Sequence, residues 1–247
     1  MLVLLPPSET KSDGGDGSPL DLGALSFGSL GPIRRKLADA LVELSADRPA
    51  SLKALGLGPK QDSEIDRNAA LWTSPTRPAV ERYTGVLFDA LDHGSMTAAQ
   101  HARALGRLAI GSALFGAVRA GDPVPAYRLS GGSALPGFGT LRSVWKPELT
   151  EALAAQTDGD LVVDLRSGSY QVLGPVPGAI TATVLTEQPD GNRKVVSHFN
   201  KHHKGLLARA LATTRAEPSS LGQVAKVAAK AGLTVEIAGD RELVILT

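Results

Sequence analysis

HFNKHHKGLLARAL, residues 198–211, gathers three histidines, two lysines and an arginine with no acid among them. Side chains of these types serve a metal, an anion or proton transfer, or they form a solvated helix face. A helix counted from Asn200 at about 100° per residue puts Leu206, Leu207, Ala210 and Leu211 on one face and Lys201, His202, Lys204 and Arg209 on the other. His203 falls on the apolar side, where a packed, hydrogen-bonded histidine is expected. His198 and His202 have the spacing of a helical metal pair, but His198 is expected to lie still in the preceding strand. No carboxylate or cysteine stands near them and the lysines repel a cation, so no metal is expected. An anion fits better, because a strand-to-helix junction offers backbone N–H groups and the positive end of a helix dipole. Lys201 and Lys204 in the first turns oppose that dipole, a cost that points to a use.

Two further stretches follow short apolar runs. PPSETK follows Leu2–Leu5, and LRSGSY begins as LVVDL (161–165) ends. Polar loops at the carboxyl ends of strands are where open α/β sheets bind ligands. Ser8, Thr10 and Lys11 on one loop, and Arg166, Ser167, Ser169 and Tyr170 on the other, are candidates to hold a phosphate. Neither loop is a Walker A or a GxGxxG motif. Asp164, ending its strand, and Lys11 are the candidates for acid–base chemistry. No Ser-His-Asp order, catalytic carboxylate pair or HExxH motif is present, so whether the chain is an enzyme is left open.

LKALGLGPK (52–60) has the hydrophobic-Gly-hydrophobic-Gly turn of a helix–hairpin–helix element, which grips one phosphate backbone without reading bases. Lys53 precedes the turn and Lys60 follows it. The turn is shorter than the standard one, and QDSEID after it is acidic; a glycine cap on an ordinary helix is the plainer alternative. In PAYRLSGG, Tyr127 and Arg128 offer a ring to stack on a base and a fork to clamp a phosphate, or they anchor their own loop.

Composition narrows the classes. The 247 residues are 43% hydrophobic and 21% charged, with few aromatics, so the core is built from Leu, Val and Ala. The absence of cysteine excludes disulfides, thiolate nucleophiles and Cys-based metal sites. No apolar run approaches the ~20 residues of a membrane span. The first residues do not read as a signal peptide, and a soluble, cytoplasmic protein without a membrane partner or cofactor is expected. Net charge is +1, but residues 193–230 carry +7 and the remainder −6. That asymmetry points to an anionic partner, or to a solvated helix face.

Periodicity places helices over 33–45, on both sides of Gly56–Gly58, from about Pro78 to Leu91, over 96–108, from Val144 with Pro147 in the first turn, from Asn200, and over 219–231 closed by Gly232. Strands are expected at 2–5 and 161–165, as a hairpin around Pro189-Asp190-Gly191, and as a terminal hairpin around Gly239-Asp240. The Gly-rich loop SETKSDGGDGSP is expected to be mobile. The expected fold is α+β or mixed α/β: one compact domain spanning 1–247, with a central sheet flanked by helices.

Six stretches, MLVLLPPSETK, RYTGVLFDAL, GSALFGAVRAGDPVPAYRLSGG, VWKPELTEAL, VVDLRSGSY and VSHFNKHHKGLLARAL, occur in an order and spacing that resemble the YaaA family of bacterial peroxide-stress proteins. The resemblance runs nearly end to end. It implies an unusual α/β fold with a basic cleft and a helix–hairpin–helix-like element at about 50–72, DNA binding, and protection against peroxide by limiting free intracellular iron. Direct iron storage would want carboxylates at helical spacing, which are absent near the histidines of 198–203, so an indirect effect is expected. PPSETK departs from the shorter proline-alanine-lysine-threonine version of enterobacterial members, a Gly/Asp-rich insertion follows it, and the mid-chain segment is acidic. These departures weaken the DNA expectation.

Two functions are carried forward. One is non-specific DNA binding along a groove lined by Lys11, Lys53, Lys60, Arg128, Lys201, Lys204 and Arg209. The other is an enzyme that binds a nucleotide or another phosphorylated small molecule. Its pocket would be formed by loops 6–11 and 165–170 and the helix start at 200, with Ser8, Thr10, Tyr127, Arg166, Ser167, Tyr170 and His202 lining it.

Overall fold

Leu2–Leu5 (β1) is a run of four aliphatic residues, all buried, ended by two prolines that cannot continue a sheet. In the computed structural model, which describes residues 1–157, 159–188, 192–195 and 197–247, this run is an interior strand of the larger sheet. The chain continues through β2 (Gly17–Pro19), α1 (Gly31–Leu44), α2 (Arg48–Leu55), α3 (Ser63–Ala69), β3 (Pro75–Pro78), α4 (Ala79–Arg82), α5 (Val86–Leu91) and α6 (Ala98–Arg107). Next come β4 (Leu108–Ser112), β5 (Gly116–Arg119), β6 (Pro123–Val124), α7 (Leu141–Gln156), β7 (Val162–Asp164) and α8 (Gly168–Gln171). The last elements are β8 (Ile180–Glu187), β9 (Arg193–Val195), α9 (Ser197–Thr213), α10 (Leu221–Lys230), β10 (Thr234–Ala238) and β11 (Glu242–Leu246).

The eight-stranded sheet runs β10-β11-β8-β7-β1-β4-β5, with β9 paired to β8. The pairs β4-β1, β1-β7, β7-β8 and β8-β11 are parallel; the outer pairs are antiparallel. A small second sheet, β2-β3-β6, holds the early loops against the middle of the chain. The architecture is mixed α/β with helices packed on a central sheet, as expected. β1 is flanked by β4 on one side and β7 on the other, so the carboxyl end of β1 is a topological switch point, where loops diverge and ligands bind.

α9 fills one face. Leu207, Ala208, Leu211 and Ala212 are fully buried, a stripe shifted one residue from the expected Leu206, Leu207, Ala210 and Leu211, and the helix begins at Ser197. His198 therefore belongs to the helix and not to the strand; its side chain lies outside the described residues, as does the turn expected at 189–191. Gly205 lets α9 meet α5 closely: a Cβ there would lie 2.3 Å from the Leu87 carbonyl oxygen and 2.7 Å from Ala90 Cβ.

Three local expectations change. The helix expected from Pro78 to Leu91 breaks into β3, α4 and α5, because Gly85 at φ 99° takes a conformation closed to most side chains. Pro147 lies inside α7, which starts earlier, at a Thr140 cap whose hydroxyl accepts from Ser143 N–H. The outer position of Pro147 tolerates its missing donor. The loop expected to be mobile is fastened by Arg82, fully buried, whose guanidinium donates to the carbonyls of Ser12, Gly14, Pro75 and Val124. Elsewhere the sequence expectations hold: Thr97 caps α6 in a reciprocal box with Gln100, Gly232 at φ 87° follows α10, and β10 and β11 form the terminal hairpin.

Candidate functional site

At the carboxyl end of β1 the chain turns through Pro6-Pro7 and brings Lys11 back inside, where it bridges to Tyr83. Lys11 is only 6% exposed. Its Nζ lies 4.2 Å from the centroid of the Tyr127 ring and 5.3 Å from that of Tyr83, and donates to the carbonyls of Ser8 (3.2 Å) and Glu9 (3.5 Å). Burial, opposed by the charge of Glu9 and reinforced by that of Arg128, pulls its pKa down to about 7. An ammonium would be favoured by the two ring faces, but desolvation wins.

The tyrosines continue into a directed chain of hydroxyls. Ser112 Oγ, at the carboxyl end of β4, accepts the N–H groups of Leu114 (3.2 Å) and Phe115 (2.9 Å). Its single hydrogen is thus donated to Tyr127 Oη at 2.7 Å, and Tyr127 donates in turn to Tyr83 Oη at 2.8 Å. Tyr83 is the terminal hydroxyl, with its own proton left to give. Burial pushes the Tyr83 phenol up to about 12 and Tyr127 well above its usual value, so both are protonated donors at neutral pH.

The rim is charged. Arg128 Nη1 lies 3.3 Å from the Glu9 carboxylate, and the Arg128 backbone is fixed by Asn68, which accepts from its N–H and donates to its carbonyl. Tyr170, from the loop after β7, accepts the Gly131 N–H at 3.0 Å; burial and the charge of Glu9 raise its pKa. Ser8 Oγ accepts the Thr84 N–H, and the Thr84 and Thr10 hydroxyls meet at 3.2 Å. Two buried polar atoms of this neighbourhood, Arg128 Nε and Glu64 Oε2, make no hydrogen bond. Buried polar groups are ordinarily paired, which sets these two apart from the bonded groups around them.

Of the sequence candidates, the fold thus brings together Lys11, Ser8, Thr10, Tyr127, Arg128 and Tyr170. Arg166 and Asp164 lie below them as a buried bidentate ion pair, with N–O distances of 2.9 and 2.8 Å, and Arg166 also donates to the Gly174 carbonyl. Lys204 reaches the Leu165 carbonyl at 3.3 Å; burial lowers its pKa while Asp164 holds it up. Ser167 and Ser169 pair with each other at the surface. The other cations stand apart. Arg209 donates to the carbonyls of Leu91 and Asp92 and to Ser95 Oγ, which ties α9 to the end of α5. Lys201 and His202 are exposed at the start of α9, and Lys53 and Lys60 are exposed around the Gly56 turn. There α2, the turn and α3 follow one another, but Gly56 and Leu57 give their N–H groups back to α2, Gly58 gives its own to Gln61, and Arg48 pairs with Asp62 and Asp66.

Sequence reasoning missed Tyr83, Ser112, Glu9, Glu64 and Asn68. Tyr83 and Ser112 stand in RYTGVLFDAL and GSALFGAV; Tyr83 meets Lys11 through an isolated backbone bridge and Ser112 is brought near by the pairing of β1 with β4, long-range contacts that no local pattern carries. A separate concavity of about 370 Å³ between α9 and α10 has Lys226 and Lys230 as its titratable lining groups, both exposed, and offers no comparable chemistry.

A family profile described as peroxide stress protein YaaA matches residues 1–236. The chain is 52% identical to a UPF0246 protein of Corynebacterium efficiens over 246 residues, which cover 98% of this chain and 97% of the relative. It is 41% identical to a UPF0246 protein of Streptomyces coelicolor over 96% of this chain and 92% of the relative, and 30% identical to a protein of Campylobacter jejuni over 84% and 82%. No helix among the described residues is long and apolar enough to cross a membrane.

Proposed function

The chain belongs to the YaaA family of peroxide stress proteins, and on that premise we propose that its activity resides in an enclosed small-molecule site around Lys11. The observation that carries this reading is the Lys11 amine itself, buried between two tyrosine rings at the switch point of a parallel sheet and drawn to a pKa of about 7. A neutral lysine at physiological pH is a base or a nucleophile, which a solvated lysine is not.

Tyr83, at the end of the hydroxyl chain, would hold or return a proton beside that amine. Arg128, with an unpaired Nε, would orient an anionic group, and Ser8, Thr10 and Thr84 would supply further donors. The ligand class is a nucleotide or another phosphorylated small molecule, because Arg128 and the hydroxyls of Ser8, Thr10 and Thr84 offer donors at the rim, and a phosphate would take over the Arg128 contact that the Glu9 carboxylate now holds. Asp164 would act through Arg166, as the support of the loop after β7, and not on the substrate. Limiting oxidative damage from intracellular iron would then be a consequence of this chemistry, not of direct storage.

A second reading, non-specific DNA binding, is favoured by one observation: α2 leads through the Gly56 turn to α3, with Lys53 and Lys60 exposed around that turn. It would not engage Lys11, which is buried, or Arg166 and Arg209, whose guanidinium groups are bonded inside the fold.

A panel of nucleotides and sugar phosphates, tested calorimetrically against the native chain and Lys11→Met, separates the two. The site reading expects binding that persists through about 0.5 M salt and disappears in Lys11→Met. DNA binding expects a steep loss with salt, by a log–log slope of about −0.9 per phosphate contacted, and no effect of Lys11→Met.

A further inference from the structure

Glu81, two residues before Tyr83, belongs to a second cluster, none of whose three side chains takes part in the Lys11 site. One carboxylate oxygen of Glu81 and one ring nitrogen each of His93 and His101 lie within 4.8 Å of one another. Ligand atoms about a tetrahedral ion with bonds of about 2.0–2.1 Å are spaced about 3.3 Å apart, so small side-chain rotations close the gap. The two imidazoles face each other at 4.5 Å between centroids, tilted by 50°. His93 Nε2 is buried and makes no hydrogen bond. We propose that Glu81, His93 and His101 bind one divalent transition-metal ion of the zinc class, leaving its fourth position open.

The donor set selects the ion. Two imidazoles and one carboxylate suit zinc and its first-row neighbours, whereas magnesium and calcium take oxygen cages. Both histidines must offer lone pairs, and His93 Nε2, buried and without a hydrogen bond, has one to give. The backbone under each ligand is fastened before any ion arrives. Asp92 at φ 45° reverses the chain after α5, Ser95 Oγ donates back to Asp92, and Arg209 of α9 clamps the Leu91 and Asp92 carbonyls, which sets the turn that carries His93. His101 is placed by the capped first turn of α6, and the Glu81 carbonyl is held by Ser12 Oγ at 2.9 Å. This site departs from the expectation of no metal ligands, which weighed only the histidines of α9. It is independent of the Lys11 reading, and either can fail without the other.

The test uses the full, untagged chain, dialysed against Zn2+ and, separately, titrated with Co2+, whose visible absorption reports four-coordinate ligation. The expected result is one equivalent of Zn2+ retained per chain and an intense Co2+ band. His93→Ala and His101→Asn should each lower the affinity on the order of 100-fold, Glu81→Gln should lower it less, and His202→Ala in α9 should leave it unchanged. Glu81 is exposed, so Glu81→Gln reads the site even if a histidine variant fails to fold. Retention of no Zn2+ by the native chain, equal retention by the His93→Ala, His101→Asn and Glu81→Gln variants, or loss on His202→Ala would overturn the proposal.

Discussion

Lys11 and Tyr127 meet as amine over ring face, 4.2 Å from Nζ to centroid, and the same Tyr127 hydroxyl is held between Ser112 and Tyr83. A titratable amine and a directed chain of hydroxyls thus share one residue. Lys11 comes from the loop after β1, Ser112 from the end of β4, Tyr127 from the stretch after β6 and Tyr83 from the end of α4, and the proposed site rests on their juxtaposition.

The charges at the rim tune Lys11 in opposite directions. Glu9 raises its pKa and Arg128 lowers it. Glu9→Gln should therefore move the Lys11 midpoint below the native value, and Arg128→Gln should move it above. Titration of isotope-labelled lysine side chains by NMR reads both; shifts of the same sign would show that the two residues act by altering burial instead.

Lys11 also leaves a mark on stability. Its folded pKa of about 7 lies below the ordinary lysine value of 10.5, so between these limits the unfolded chain binds the extra proton. From this group, stability rises with pH from about 7 to about 10.5 and is flat below 7, where both states are protonated. Denaturant unfolding at several pH values should show that slope in the native chain and its loss in Lys11→Met.

Tyr127→Phe breaks two hydroxyl bonds and leaves Ser112 without an acceptor, whereas Tyr83→Phe removes only the end of the chain. Each should destabilise by about 1–3 kcal/mol, Tyr127→Phe by the larger amount. Tyr83→Phe is the variant expected to impair turnover most for its structural cost, and chemical denaturation beside a ligand-binding assay tests the contrast.

Asp164→Asn would leave the Arg166 guanidinium buried without its counter-charge, at a cost of about 3–5 kcal/mol. Gly205→Ala forces a methyl into the Leu87 carbonyl, and overpacking of this kind costs about 1–3 kcal/mol or more. Thermal unfolding should show both losses; a Gly205→Ala chain of native stability would mean that α5 and α9 sit farther apart than described.

Local rules reached much of the fold and less of the site. Leu2–Leu5 was legible because four aliphatic residues end in two prolines, α6 because helical periodicity runs through 96–108, and the terminal hairpin because Gly239 marks its turn. Pro147 was misplaced because an outward-facing proline survives inside a helix that packing holds together. Lys11 was found as a polar loop residue, but its burial depends on Tyr83 and Tyr127, which only the tertiary fold brings to it. The lysines and arginine of 198–211 read as one basic face; the fold divides them, with Lys201 exposed, Lys204 on the Leu165 carbonyl and Arg209 against α5. Glu81, His93 and His101 have no motif spacing, because a left-handed Asp92 and two separate helices set their approach.

The most direct measurement is the midpoint of the Lys11 amine in the native chain, read by NMR of labelled lysine with Lys11→Met as the assignment control. The account predicts a midpoint near 7 that shifts when a phosphorylated ligand occupies the site. A midpoint at the ordinary value of about 10.5, unmoved by any member of the panel, would contradict it.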